Sequence, residues 1–155
     1  VPSVFATVNL EDPRGIAFDP VSGDLFVASF GTDQVLRYNG ASGTLVGTFA
    51  DDTVGIDGPT GLAFDPISGD LFVSNLRTNE VLRFDEVTGL RVMEDVKPNS
   101  NGLFDPQGLA FFNGHLFVSS GGDNRVLRYN SVTGDPDPMG SFTTGGSLGA
   151  PRGLA

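Results

Sequence analysis

Tandem four-stranded antiparallel sheets, with almost no helix, are the all-β fold that this 155-residue sequence predicts. Three observations lead there. A block of about 46 residues recurs three times, each copy divides into four short apolar runs, and Gly, Asp, Asn, Pro or Ser bounds every run. Runs of four to seven residues rich in Val, Leu and Phe between turn formers are strand signals, and no window sustains a 3.6-residue period.

The repeat is read from its first element. Pro13-Arg14-Gly15-Ile16-Ala17-Phe18-Asp19-Pro20 returns as Pro59-Thr60-Gly61-Leu62-Ala63-Phe64-Asp65-Pro66. It returns again as Pro106-Gln107-Gly108-Leu109-Ala110-Phe111, and begins a fourth time at Pro151-Arg152-Gly153-Leu154-Ala155. Successive prolines are 46, 47 and 45 residues apart, and residues 13–45 align with 59–91 without a gap, matching at 17 of 33 positions.

The predicted strands of the first copy are 15–18, 25–28, 35–38 and 45–49. Those of the second are 61–64, 71–74, 81–84 and 90–96, and those of the third 108–112, 115–119, 126–129 and 139–142. The first run of each copy is continuously apolar, as expected of a strand packed on both faces, and its Gly and Ala suit a crowded centre. In the third run Leu36 and Tyr38 share one face while Val35 and Arg37 share the other. Asp19-Pro20-Val21-Ser22-Gly23-Asp24 and its counterpart at 65–70 join the first two strands: Pro sets φ and Gly supplies a positive one. The third copy is two residues shorter there, leaving Asn113-Gly114, a two-residue hairpin signal.

Four antiparallel strands per 40–50 residues in tandem is the pattern of a β-propeller blade. The boundaries expected are an outer-strand remnant at 1–12, blades at 13–58, 59–105 and 106–150, and the start of a further blade at 151–155. Val4-Phe5-Ala6-Thr7 matches Gly47-Thr48-Phe49-Ala50 and so reads as a fourth strand without its first three. Propellers usually close with four to eight blades. Three arrangements therefore stay open: a piece of a longer ring, two copies closing one ring, or copies joining edge to edge through shared strands.

The motif Pro-x-Gly-Leu-Ala-Phe-Asp, followed by Gly-Asp-Leu-Phe-Val-Ser and Thr-Asn-Glu-Val-Leu-Arg-Phe-Asp, resembles the NHL repeat over nearly the whole chain. The resemblance implies a propeller of a mostly six-bladed family. Its members serve as protein- or RNA-binding platforms, and related six-bladed propellers include metal-dependent lactonases and lyases.

Composition narrows the chemistry. Nineteen acidic residues, fifteen of them Asp, against nine basic ones leave a net charge of −10, which opposes binding to a phosphate backbone. With no cysteine, disulfides, thiolate zinc sites and cysteine nucleophiles are excluded. No apolar stretch approaches 18 residues, so no membrane-spanning helix is expected, and residues 1–5 do not read as a signal peptide. An acidic, cysteine-free, lysine-poor chain fits an extracellular or cell-surface protein.

Ligands of propellers usually meet the loops joining fourth to first and second to third strands. Here those loops carry Glu11, Asp12, Asp33, Asp51, Asp52, Asp57, Glu80, Asp105 and Asp123. Hard carboxylate oxygens suit Ca²⁺. Asp51, Asp52 and Asp57, in the most acidic loop, are the candidate metal ligands, set against the plainer expectation of solvated turn acids. Arg37, Arg83 and Arg128 recur within Val-Leu-Arg-aromatic and are expected to brace their blades through a turn carboxylate or a ring. Asp19 and Asp65 are expected to make Asx turns before Pro. His115, the sole histidine, stands where Asp24 and Asp70 stand in the other copies, beside a hairpin tip, and with no Ser and Asp partners in view it does not suggest a triad. The expected function is a non-enzymatic binding scaffold acting by protein–protein or self-association. A metal-dependent hydrolase or lyase with its site on the acidic loop face is the alternative.

Overall fold

In the computed structural model, which describes residues 4–141 and 149–154, the chain forms three four-stranded antiparallel sheets in simple up-and-down order. The first contains β1 (Pro13–Phe18), β2 (Leu25–Ser29), β3 (Gln34–Tyr38) and β4 (Leu45–Ala50). The second contains β5 (Pro59–Phe64), β6 (Leu71–Asn75), β7 (Glu80–Phe84) and β8 (Arg91–Val96). The third contains β9 (Pro106–Phe112), β10 (His115–Ser120), β11 (Arg125–Asn130) and β12 (Pro136–Ser141). The only helical pieces among the described residues are single 3₁₀ turns of three residues each, at Phe30–Thr32, Asp52–Val54 and Ser100–Gly102. No helix is long and apolar enough to cross a membrane.

All twelve strands predicted for the three copies are present, most of them one or two residues longer than the apolar run that marks it. The largest difference is β12, which begins three residues early and takes in Pro136 and Pro138. Proline is tolerated because this strand is outermost, with one edge unpaired. Its register against β11 is irregular, resting on Leu127↔Ser141 and Tyr129↔Pro136. Phe142, the predicted end of that strand, lies outside the described residues, as do 143–148, with their Gly145-Gly146 pair, and Ala155. Residues 4–7, expected as a fourth-strand remnant, form no strand, because no third strand lies beside them to supply a ladder.

The blades stack face to face. β1 lies beside β5 and β5 beside β9, so the first strand of each blade is innermost. The approach is so close that a Cβ built on Gly15 would collide with the Thr60 carbonyl, and one on Gly61 with that of Gln107. This is the physical need behind the invariant Pro-x-Gly of the three copies. Between the first two blades, Phe26, Ala28, Val35 and Ala50 meet Ile56, Leu62, Leu71, Val73, Leu82 and Phe84. Between the second and third, Phe72, Val81 and Val96 meet Leu103, Leu109, Leu116, Val118, Leu127 and Tyr129. Ring edges lock both seams: Phe26 and Phe64 are 5.2 Å apart, and Phe72 and Phe111 are 5.0 Å apart, each pair near-perpendicular.

Among the described residues, the hydroxyls of Ser74 and Thr78 are buried without a hydrogen-bond partner. Ser74, fully buried in β6, makes no hydrogen bond through its Oγ, whereas its third-blade counterpart Ser119 accepts one from the Gly108 amide at 2.7 Å. Blade one has Ala28 at this position. Ser74→Ala is therefore expected to raise stability by about 1 kcal/mol, read from the urea midpoint, since an unsatisfied buried hydroxyl costs about 1–3 kcal/mol.

Candidate functional surface: loop rim, central cleft and open blade face

The rim is organised by a hydrogen bond that recurs from blade to blade. Asp33, Asn79 and Asn124 occupy one repeat position, each left-handed with φ of 52°, 55° and 58°. Each side chain reaches across to the next unit. Asp33 Oδ1 accepts from the Gly58 amide at 2.8 Å, Asn79 from Asp105 at 2.9 Å and Asn124 from Ala150 at 2.6 Å. The recipients, like Asp12, all precede the repeat proline with a positive φ, which Gly58, Asp12 and Asp105 adopt at low cost and Ala150 does not. A second set holds the loop to its own blade: Ser29, Asn75 and Ser120 accept from the amides of Glu11, Asp57 and Phe104. The sequence reading missed these roles. The signal was present, because an Asp or Asn stands just before each third strand, but only the fold shows that it points at the next blade. Asn79→Ala should lose both the bond and the favourable left-handed residue, costing about 1–2 kcal/mol in a thermal unfolding experiment.

The carboxylates singled out in the sequence are spread over separate tasks. Asp51 caps the Asp52–Val54 turn, accepting from the Thr53 amide at 3.0 Å and the Thr53 hydroxyl at 2.6 Å. Asp57 and Asp33 share Arg77 Nη1 at 3.0 and 2.5 Å. The Asp57 bond, with Asp33 beside it, holds that guanidinium still more firmly protonated. Asp52 and Asp57 border a cleft of about 510 Å³ together with Asp33, Thr78, Glu80 and Arg91. Yet Asp51, Asp52 and Asp57 do not converge. Among the described residues, the group whose ligating atoms lie within 4.8 Å of one another is Asp70, Asp85 and Glu86, at the opposite end of the second blade. Among the described residues, no three carboxylates of the rim bring ligating oxygens within 4.8 Å of one another.

At that opposite end, the repeated arginines sit against carboxylates. Arg37 Nε donates to Asp24 at 2.8 Å, Arg83 Nε to Asp70 at 2.6 Å, and Arg128 Nη2 meets Asp137 at 2.8 Å. Arg37 and Arg83 also lie 5.5 Å from the rings of Phe26 and Phe72. Blade three has His115 where the other two have Asp, and the carboxylate has moved to β12, where Asp137 lies 3.7 Å from His115 Nδ1 as well. Asp19 and Asp65 accept from the amides of Val21 and Ile67 at 2.9 and 3.0 Å, which is Asx-turn geometry. Burial pushes the Asp19 carboxyl up. Bonds from the Ser22 hydroxyl and the Val21 and Ser22 amides, with the charge of Arg37, outweigh it and hold the group below the ordinary aspartate value.

The innermost strands border a larger cleft of about 770 Å³. Asp12, Arg14, Thr60, Asp105, Gln107 and Arg152 stand along it. Arg14 pairs with Asp12 at 2.9 Å and lies 3.3 Å over the Phe30 ring, while Thr60 donates to the Pro106 carbonyl at 2.8 Å. Of these groups, Asp12 and Arg14 are paired with each other and the Thr60 hydroxyl with backbone carbonyls. His115 is at the far end of β9, away from this cleft.

The outer face of blade one differs from the internal ones. Leu62 and Leu109 are 7% and 6% exposed in their seams, whereas Ile16, at the same repeat position, is 64% exposed and Phe18 58%. Among the described residues, Ala6 and Leu10, with Leu45, pack on Leu25, Val27, Leu36 and Tyr38 over the rest of this face, and the Tyr38 hydroxyl donates to the Val8 carbonyl at 2.5 Å.

No family model and no curated protein matches the chain. Solved structures do. It is similar to a chain of a nidogen/laminin complex, with TM-score 0.79 and 23% identity over 97% of this chain and 54% of that one. It is similar to a streptogramin B lyase, with TM-score 0.73 and 18% identity over 96% of this chain and 46% of that one. A catalytically inactive histidine-to-alanine variant of virginiamycin B lyase from Staphylococcus aureus, with quinupristin, gives TM-score 0.71 at 16% identity over 91% and 44%. The chain spans about half the length of these proteins. Its three sheets are blades of a β-propeller.

Proposed function

We propose that this chain is a non-enzymatic β-propeller scaffold of the NHL-like kind that acts by protein association, at the cell surface or outside the cell, without a resident cofactor. The observation that carries this reading is the open face of blade one, where Ile16 and Phe18 present to solvent the side chains that the other blades bury in their seams. The rim supports it, since Asp33, Asp51 and Asp57 brace turns and neighbouring blades. The lyases that share the fold supply a second reading, hydrolysis or elimination at the acidic loops. It finds little support in His115, which stands beside Asp137 at the other end of the blade. The two readings are separated by titrating Ca²⁺ in a calorimeter and assaying lactone and streptogramin turnover with and without it. The scaffold reading expects neither stoichiometric uptake nor turnover. Metal-dependent turnover that Asp52→Asn or Asp57→Asn abolishes would replace it with the enzyme.

A further inference from the structure

We propose that a small pocket in the first seam, at the end opposite the acidic loops, binds an aliphatic carboxylate through Arg37. The repeated arginines are the starting point. Each has a carboxylate beside its guanidinium: Asp24, Asp70 and Asp137. In the second seam, Arg83 Nη1 also reaches two carbonyls of the next blade's turn, those of Ser131 and Val132. The matching carbonyls of the first seam belong to Glu86 and Val87, and Arg37 bonds to neither. Among the described residues its Nε donates to Asp24 at 2.8 Å, and its two Nη groups, which carry four of the five N–H donors, have no acceptor.

The residue across the strand pair differs as well. Arg37 on β3 is opposite Gly47 on β4, whereas Arg83 on β7 is opposite Val92 on β8. Directly opposed residues share a face of the sheet, so Val92 stands beside Arg83. A Cβ built on Gly47 would meet nothing within 4 Å. The space left is a pocket of about 230 Å³, bordered by Arg37, Val46, Gly47, Phe49, Val87 and Thr88. Both walls lie within the first two blades, away from the ends of the chain. The side chain of Arg37 is accordingly 27% exposed, against 11% for Arg83.

The walls set the ligand chemistry. A guanidinium held at Nε presents its Nη groups as a fork that matches a carboxylate. Val46, Phe49 and Val87 offer apolar contact beside that fork. The volume is below the roughly 300–1,000 Å³ of pockets for larger ligands, so the occupant is small: a short branched acid, or the carboxylate end of a peptide. Asp24 offsets the arginine's charge, and the chain as a whole carries −10. The site therefore holds its anion by directed hydrogen bonds and contact, not by long-range attraction, and binding is expected to be weak.

The test is an NMR titration of the isotope-labelled full chain with isovalerate, with its uncharged counterpart isovaleramide, and with the peptide acid N-acetyl-glycyl-leucine. The acids should move the amides of Gly47, Thr48, Thr88 and Gly89 saturably, and isovaleramide should not. The amides of Val92 and Val132, at the matching place in the second seam, should stay still. Arg37→Lys keeps a cation beside Asp24 but loses the fork, and should weaken binding about tenfold, as loss of one hydrogen bond to a charged group does. Tighter binding of the peptide acid than of isovalerate assigns the site to a peptide end, and the reverse order assigns it to a free acid. Four outcomes overturn the proposal: no saturable shift with either acid, equal shifts with isovalerate and isovaleramide, shifts spread over all three blades, or binding that Arg37→Lys leaves intact. None of them depends on the calcium and turnover assays, so a failure here leaves the scaffold reading to stand or fall on its own.

Discussion

Phe72→Ala should lower unfolding free energy by about 3–5 kcal/mol, the range for removing a buried aromatic ring. Phe72 is 1% exposed and fills the second seam, edge-on to Phe111 and under Arg83. The loss is expected to be more than a cavity term. Blade three touches the rest of the protein mainly through this seam, so the variant should unfold in two steps, with the 106–141 sheet giving way first. Urea unfolding followed by hydrogen exchange of the β10 and β11 amides measures both parts. Phe18→Ala is the control. It deletes the same ring from the equivalent class of contact at an unpaired face, and should change single-chain stability by less than about 0.5 kcal/mol. If the two substitutions cost the same, the seams are not what holds the blades together.

Removing Arg83 is the second large effect. Its guanidinium donates to Asp70 at 2.6 Å and reaches the Ser131 and Val132 carbonyls of the neighbouring blade at 3.4 and 3.2 Å. Both side chains of the ion pair are only 11% exposed. Arg83→Met leaves the Asp70 carboxylate buried without its counter-charge, which costs about 3–5 kcal/mol in comparable pairs. The matched variant Arg83→Met with Asp70→Leu removes both charges and should recover most of that loss. Arg37→Met is expected to cost less, because Arg37 is more open to solvent and, among the described residues, bonds to no carbonyl of a neighbouring blade. Chemical denaturation of the three variants at neutral pH orders them. Equal losses for Arg37 and Arg83 would contradict the cross-blade role.

The comparison of blades explains why some residues were legible and others not. Arg37, Arg83 and Arg128 stand out in sequence because they recur, but the partner of Arg128 does not recur. With His115 in the place of Asp24 and Asp70, the carboxylate comes from Asp137, on another strand. The Asx residues at 33, 79 and 124 recur too, yet as Asp, Asn and Asn before third strands they read as ordinary turn formers. The backbone amides that donate to them lie 25 or 26 residues downstream, at the start of the next blade. Asp51, Asp52 and Asp57 are close in the chain, but a capped 3₁₀ turn and the pull of Arg77 separate their carboxylates.

Local chemistry determined the strands, their turns and their grouping in fours, because apolar runs and turn residues act over a few positions and are written there directly. The repeat determined that each sheet meets the next in the same way. Only the tertiary structure decided which acids are committed to bracing and which face is left uncovered. Exposure of Ile16 and burial of Leu62 cannot be distinguished from nearly identical sequences. What differs is whether another blade lies against them, and burial is a property of the neighbour as much as of the residue.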